Sequence, residues 1–301
     1  MSGYDAGHAR RNLRLVVFWV SGALLSFSAM AVSLRELSRT LGVFDMLTLR
    51  NASSLAILIV LGLAQPRLWT TLKPRSGPLL HLARNGVHFA ATYAWSYAVT
   101  ILPLALVFAL EFTNPLWVTL LAAIFLGERL TPARLAAVAL GFLGILVITR
   151  PGASTLDPRA MWALASAVGF AVTIICTKSL TRRDTTFCIL FWMNAIQAPL
   201  NYLGADWGFW LKLPDAPPLP VLGVCVSGLA SHFCLTNAFR RGDAMLVVPL
   251  DFLRIPLIAL VGWRLYGEPL DPMVLAGALL IIGGVVWSLR DETRRAGGAF
   301  G

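Results

Sequence analysis

The chain has 301 residues, of which 57% are hydrophobic and only 13% are charged. Soluble globular domains carry about 25% charged residues, so this composition excludes an ordinary soluble domain and predicts an integral membrane protein. The net charge of +10 does not indicate nucleic-acid binding, because no basic helix face with interleaved aromatic residues is present. Positive charge on cytoplasmic loops explains it better.

Apolar stretches follow one another along the chain, and a transmembrane helix needs about 20 mostly apolar residues. Arginines precede the first stretch without a clear cleavage site after it, so we expect a retained helix and not a signal peptide. The long connection near 204–217 is predicted to be an interfacial loop. The fold class predicted is all-α integral membrane, with ten transmembrane helices at 15–34, 44–64, 79–100, 103–125, 134–149, 158–178, 185–204, 218–239, 244–265 and 272–289.

The second half of the chain repeats the first. Residues 92–149 align without a gap to residues 232–289, with 14 identities in 58 positions. The most visible match is a turn with Gly127 and Glu128 in one copy and Gly267 and Glu268 in the other. We therefore divide the chain into two five-helix repeats, residues 1–150 and 151–301.

The distribution of lysine and arginine predicts the orientation in the membrane. With the N-terminus in the cytoplasm, 16 of these residues fall on the inner side, 6 on the outer side and 3 within spans. This bias predicts that both termini are cytoplasmic. Because each repeat has an odd number of spans, the second repeat must be inverted relative to the first. Inverted repeats are typical of transporters that work by alternating access.

Each repeat carries an acidic residue inside an apolar stretch, Glu111 in the fourth and Asp251 in the ninth. A helical rise of 1.5 Å per residue places the two carboxylates on either side of the bilayer midplane. A charge at that depth is costly unless it faces a cavity or a partner. Both residues are therefore candidates for substrate binding and proton coupling. The alternative is that a neighbouring arginine neutralises each acid, which then only holds helices together.

Four polar residues near the acids extend the predicted substrate site. Asn114 and Arg254 each follow an acidic residue by three positions, which places each pair on one helix face. Arg50 and Arg84 lie a few residues inside the second and third spans, where we expect them to reach the carboxylates. Snorkelling to the membrane interface is the alternative for these two arginines.

The third and eighth spans supply further candidates. Tyr93, Trp95, Ser96 and Asn237 predict an aromatic and polar lining that suits a flat or amphipathic solute. Ordinary aromatic packing between helices is the alternative. His232 lies inside an apolar stretch and is a candidate proton relay, or else a neutral core histidine.

Several motifs together resemble the EamA family of the drug/metabolite transporter superfamily, over about residues 15–290. The resemblance implies ten helices around a central cavity and secondary transport of small organic solutes across a bacterial inner membrane. The second half is similar to a subset that includes S-adenosylmethionine and riboflavin uptake proteins. The motifs are FTNPLW (112–117), LGERLTP (126–132), LVITRPG (146–152), TKSLTRRD (177–184), PLDFLRIP (249–256) and YGEPLDP (266–272).

The expected function is secondary active transport, as an exporter, of small organic metabolites such as amino acids or related zwitterions. The alternative is a proton-coupled uptake permease for a metabolite such as S-adenosylmethionine or riboflavin. A membrane enzyme or a scaffold is disfavoured, because the sequence has no nucleophile, metal-binding or ATP-binding motif. We expect a small-molecule substrate and the lipid bilayer as partners, no nucleic acid, no cofactor or metal, and a monomer or homodimer.

Overall fold

Helices make up nearly all of the part of the chain that the structure describes. A computed structural model describes residues 2–102, 107, 110–111, 113–127, 131–149, 158–266 and 272–298, and within these ranges it contains no β-strand. A helix satisfies its backbone hydrogen bonds internally, which a segment surrounded by hydrocarbon requires. The fold is therefore that of an all-helical membrane protein.

The helices follow the predicted apolar stretches wherever these are described, although the first and last helices extend beyond them. Short 3-10 helices cover Pro66–Thr71, Phe209–Asp215 and Asp251–Leu253, and a π-helical turn covers Ala122–Leu126. The α-helices are α1 (Ser2–Leu37), α2 (Val43–Ala64), α3 (Pro78–Ile101), α4 (Asn114–Leu121), α5 (Pro132–Thr149), α6 (Ala160–Leu180), α7 (Thr186–Gly204), α8 (Pro218–Arg241), α9 (Ala244–Leu250), α10 (Arg254–Tyr266) and α11 (Pro272–Gly298).

Four segments of the described chain are both long enough and apolar enough to cross a membrane. They are Leu13–Leu37, Val43–Ala64, Ala160–Leu180 and Pro218–Arg241. These segments make the chain a multi-pass membrane protein. The predicted number of ten spans is larger than this set supports.

The fourth and ninth stretches are interrupted at matching positions of the two repeats. In the ninth, the 3-10 turn Asp251–Leu253 separates α9 from α10. In the fourth, Thr113 forms a turn by donating its backbone N–H to the Leu110 carbonyl at 3.1 Å, directly before α4. Pro115 and Pro256 then fall in the first turn of α4 and α10, where the missing N–H of proline costs no helical hydrogen bond. Each repeat thus has a broken helix beside its acidic residue.

Helices of one repeat pack mainly against helices of the other. The main pairs are α1 with α8, α3 with α6, α2 with α7 and α5 with α11. These pairs join the first and eighth, third and sixth, second and seventh, and fifth and tenth stretches. Exchanging the repeats converts the first pair into the second and leaves the other two unchanged. The packing therefore has the internal symmetry that a duplicated sequence predicts.

Two clusters of buried apolar side chains lie towards opposite ends of the bundle. Along α1, Val16 and Val20 belong to one cluster, and Leu34 and Leu37 belong to the other. The loop predicted at 204–217 joins the second cluster by inserting Phe209, which is fully buried. The middle of α1, between the clusters, lines a cavity.

Close packing between α3 and α6 depends on a glycine. A Cβ at Gly169 would lie 2.8 Å from the Ala91 Cβ, so Gly169→Leu is expected to lower the free energy of unfolding by about 1–3 kcal/mol. The control is Gly86→Leu on α3, because a Cβ there meets nothing within 4 Å. It should leave stability unchanged or raise it, since leucine favours helix over glycine. Thermal unfolding in detergent measures the stability of the two purified variants. Equal stabilities of Gly169→Leu and Gly86→Leu would contradict this packing.

Candidate functional site

A cavity lies between the two repeats and is lined from both. Its empty space, including the open side, is about 1070 Å³. The polar residues that line it are Arg50, Arg84, His88, Thr92, Trp95, Glu111, Asn114, Thr173, Thr177, His232, Thr236, Asp251 and Arg254.

Glu111, Arg254 and Asp251 form a charge triad in this cavity. One terminal nitrogen of Arg254 lies 3.3 Å from Oε1 of Glu111, and the other donates a hydrogen bond to Oδ2 of Asp251. The indole N–H of Trp95 donates to the second oxygen of Glu111 at 2.6 Å. Glu111 and Arg254 are both only 7% exposed. With all three groups ionised, the triad carries one net negative charge.

The interrupted helices place the triad where the two repeats meet. Asp251 lies in the 3-10 turn and Arg254 begins α10, so three residues of separation bring both side chains to one face. On the other repeat, the side-chain amide of Asn114 donates to the Ala167 carbonyl at 2.9 Å. This bond attaches the start of α4 to α6 and fixes the turn that follows Glu111.

The cavity brings together eight of the residues that the sequence singled out and leaves out three. The eight are Glu111, Asn114, Asp251, Arg254, Trp95, Arg50, Arg84 and His232. The three are Tyr93, Ser96 and Asn237, and they lie outside the cavity lining. The difference follows from helix geometry, because residues next to one another in a helix point in different directions.

Two of the three outlying residues, Tyr93 and Asn237, make structural contacts. The Tyr93 ring stacks on Phe44 with 4.6 Å between ring centroids and on Tyr97 with 6.2 Å. Asn237 donates to the Phe233 carbonyl at 2.9 Å within α8. Ser96 is buried on α3. For Tyr93, the structure matches the alternative of aromatic packing between helices.

Arg50 and Arg84 were predicted to lie at depths from which they can reach the acids, and in the structure their hydrogen-bond partners are neutral side chains. Arg50 Nε donates to Asn51 at 3.3 Å. Arg84 donates from Nε to Thr177 at 3.2 Å and from Nη1 to Asn85 at 2.7 Å. Neither arginine forms an ion pair with any residue that the structure describes. The reason is that Arg254, already adjacent to the acids, occupies both carboxylates.

His88, which is not among the predicted site residues, also lies in the cavity wall. Its ring is 5.0 Å from the His232 ring, and its Nδ1 is 3.0 Å from Oε1 of Gln197. A signal was present in the sequence. Arg84, His88, Thr92 and Trp95 recur every three or four positions and form one polar stripe on α3. The stripe distinguishes the cavity face of α3 from the face that carries Tyr93.

A second polar cluster, outside the cavity, has the ligand types of a metal site. Potential ligand atoms of His81, Asp184 and Cys188 lie within 4.8 Å of one another. The Asp184 carboxylate, however, is within 3.1 Å of the His81 ring and accepts the backbone N–H of Arg75 at 2.7 Å. The Cys188 thiol lies 3.5 Å from a backbone carbonyl. These contacts already engage the carboxylate and the thiol, so the cluster is better explained as a clamp between loops.

Asp184 lies in the loop between α6 and α7, where its contacts also determine its titration. Burial alone would raise the pKa of this carboxyl group. The hydrogen bonds from Ser76, His81 and the Arg75 backbone outweigh that effect and hold the pKa below its ordinary value. The ionised form is therefore the one that stabilises the clamp.

A known protein family matches the chain twice. The model of the EamA-like transporter family matches residues 14–150 and again residues 158–290. A solved crystal structure superposes with a TM-score of 0.72 at 20% identity, covering 93% of this chain and 98% of its own. At that level of identity the likeness establishes a shared fold.

Several bacterial relatives are named transporters. The riboflavin transporter of Rhizobium johnstonii is 32% identical over 219 residues, which is 72% of this chain and 72% of the relative. The S-adenosylmethionine uptake transporter of Rickettsia bellii is 26% identical over 95% of this chain and 97% of its own. The pseudopaline exporter of Pseudomonas aeruginosa is 30% identical over 86% of this chain and 90% of its own.

The clamp predicts a pH-dependent stability. Because the Asp184 pKa is lowered on folding, its stabilisation is present above the ordinary pKa of about 4 and is lost as pH falls through the folded value. Asp184→Asn should lower the free energy of unfolding by about 1–3 kcal/mol at neutral pH. It should also make the loss of stability at acidic pH smaller than in the wild type. Thermal unfolding against pH measures both effects, with Asp215→Asn, an exposed residue at the end of the 3-10 helix Phe209–Asp215, as the control. A stability decrease caused by a chelator would contradict the clamp and favour a metal.

Proposed function

The chain belongs to the EamA-like transporter family, and we propose that it is a secondary active transporter that moves a small organic metabolite by alternating access. It has ten transmembrane helices in two inverted five-helix repeats, residues 1–150 and 151–301. It lies in a bacterial inner membrane with both termini in the cytoplasm. The matching helix breaks, the symmetric helix pairing and the 16:6 bias of basic residues support this arrangement.

The charge triad is the observation that carries the proposal. Arg254 contacts one carboxylate from each repeat, so its bonds cross the boundary at which the repeats move in alternating access. A proton or a cationic group of the solute neutralises one carboxylate and leaves Arg254 with the other. The attraction between the repeats then changes with the occupancy of the site. This links binding to the relative position of the repeats, as coupled transport requires.

Protons reach the triad through groups that line the same cavity. Glu111 and Asp251 are the proposed coupling carboxylates, and His232 is a further coupling residue. The rings of His232 and His88 are 5.0 Å apart. A neutral imidazole can accept a proton at one ring nitrogen and donate one from the other, which suits it to a relay between bulk water and a carboxylate.

The solute is a small metabolite such as an amino acid or a related zwitterion. The lining supports this substrate class, because carboxylates and guanidinium groups are present together with apolar side chains such as Phe27 and Phe170. Relatives named for riboflavin and S-adenosylmethionine show that similar chains are assigned metabolites with aromatic rings. The names of the family and of these relatives point to transport and not to catalysis.

Either direction of transport has support from a relative. Uptake is favoured by similarity to the S-adenosylmethionine uptake transporter over 95% of the chain. Export is favoured by the pseudopaline exporter, which is 30% identical. Flux assays with an imposed pH gradient distinguish the two. An inward proton gradient accelerates entry of the solute through a proton-coupled uptake permease, and it accelerates exit of the solute through a proton-coupled exporter.

Glu111→Gln and Asp251→Asn are expected to reduce flux driven by a pH gradient at least tenfold. Each replaces a carboxylate by an uncharged amide of similar shape, so the group that binds the proton is lost. Reconstituted proteoliposomes loaded with amino acids, S-adenosylmethionine or riboflavin measure the flux. The control is Asp206→Asn, which removes an exposed partner of Lys212 outside the cavity and should retain full flux. Unchanged flux in both cavity variants would contradict the site.

A further inference from the structure

In the part of the chain that the structure describes, two arginines of the cavity have no acidic partner, although a buried cation requires one. Arg50 is 2% exposed and Arg84 is 3% exposed, and both line the cavity. Among the residues that the structure describes, no carboxylate lies within ion-pair distance of either guanidinium group. One terminal nitrogen of Arg50 has no hydrogen-bond partner in the described chain. The partners that do exist are neutral side chains.

An unpaired buried charge is unfavourable, and arginine cannot avoid the cost by losing its proton. The carboxylates of the cavity do not relieve it, because Glu111 and Asp251 are bonded to Arg254. Among the described residues, three arginines and two carboxylates line the cavity, so with neutral histidines there is an excess of one positive charge. That excess resides on Arg50 and Arg84. An anion that enters the cavity therefore gains strong hydrogen bonds at this position.

Surrounding residues hold both guanidinium groups in place. The stem of Arg50 passes over Gly228 of α8, where a Cβ would lie 2.4 Å from the Arg50 Cγ. Asn85 accepts a bond from Arg84 at 2.7 Å and another from Gln197 at 3.2 Å. Contacts from α3, α7 and α8 thus keep the two side chains beside the cavity. Such a preorganised arginine loses little freedom when it binds a ligand.

We propose that Arg50 and Arg84 form a subsite for an oxyanion, a carboxylate or a phosphate, on the transported solute. The planar guanidinium fork matches both groups, since each offers two oxygens at suitable spacing. The triad, with its net negative charge, receives the cationic part of a zwitterionic solute. Arg254 is therefore not the residue that binds the anion, because the two acids already occupy it. This subsite rests on the proposed transport function and narrows its substrate class.

Two pairs of solutes that differ only in the oxyanion test the subsite. S-adenosylmethionine is compared with its decarboxylated form, and riboflavin 5′-phosphate is compared with riboflavin. The first pair reports on a carboxylate and the second on a phosphate. Dissociation constants are measured by calorimetry on the full-length protein in detergent at constant ionic strength. The wild type should bind the member that carries the oxyanion about ten- to a hundredfold more tightly in at least one pair.

Arg50→Gln and Arg84→Gln should each remove most of that preference and leave binding of the other member nearly unchanged. Arg67→Gln, on an exposed 3-10 helix, is the matched control and should keep the preference. Arg50→Lys is a milder change than Arg50→Gln, because it keeps the positive charge and loses only the planar guanidinium fork. It should weaken oxyanion binding about tenfold. The ligand-free melting temperature of the variants should be unchanged or higher, because no ion pair is removed.

Two results would overturn the subsite. One is a wild type without preference for the oxyanion in either pair, and the other is a preference that survives both Gln substitutions. Flux in proteoliposomes separates this failure from failure of the transport proposal. Transport that depends on Glu111 but not on Arg50 would keep the transporter and remove the subsite. Oxyanion preference in binding without any pH-driven flux would keep the subsite and contradict transport.

Discussion

Arg254 holds together two carboxylates that belong to different repeats, in the buried interior of a membrane protein. Removing one partner of a buried ion pair leaves an uncompensated charge and typically costs about 3–5 kcal/mol. The contacts of Arg254 with Glu111 and Asp251 are therefore a strong constraint on how the repeats meet. They also create a polar centre in a bundle that is otherwise held together by apolar clusters. Because the attraction depends on charge, protonation or a charged solute alters it directly.

The broken helices explain how the bundle accommodates this centre. A continuous helix uses its own carbonyl and N–H groups, whereas a break leaves some of them available beside the site. Each break lies at or directly after an acidic residue, in agreement with the duplicated sequence. The residues three positions after the two acids, however, make different contacts. Asn114 fixes α4 to the Ala167 carbonyl, whereas Arg254 pairs with the acids. A symmetric scaffold thus carries an asymmetric site.

Much of the fold follows from the sequence, because hydrophobic length and internal repetition are strong signals. They predict the helices and the cross-repeat symmetry, and the family match to both halves supports them. Which arginine pairs with which carboxylate was harder to predict. Depth alone placed Arg50 near Glu111, but only the folded helices show that Arg254 reaches it first. The face of α3 was misjudged for a different reason, because Tyr93 was grouped with its sequence neighbours although the stripe through His88 marks the cavity.

A double-mutant cycle on Glu111 and Arg254 tests the triad most directly, with stability measured by reversible unfolding of the purified protein. Glu111→Gln, Arg254→Gln and the double variant are compared with the wild type. Arg254→Gln leaves two neighbouring carboxylates without their cation, so it should be the most destabilising single change. The double variant should be more stable than the sum of the single effects predicts, by about 1–3 kcal/mol. Additivity within about 0.5 kcal/mol would contradict an interaction between the two repeats at this position.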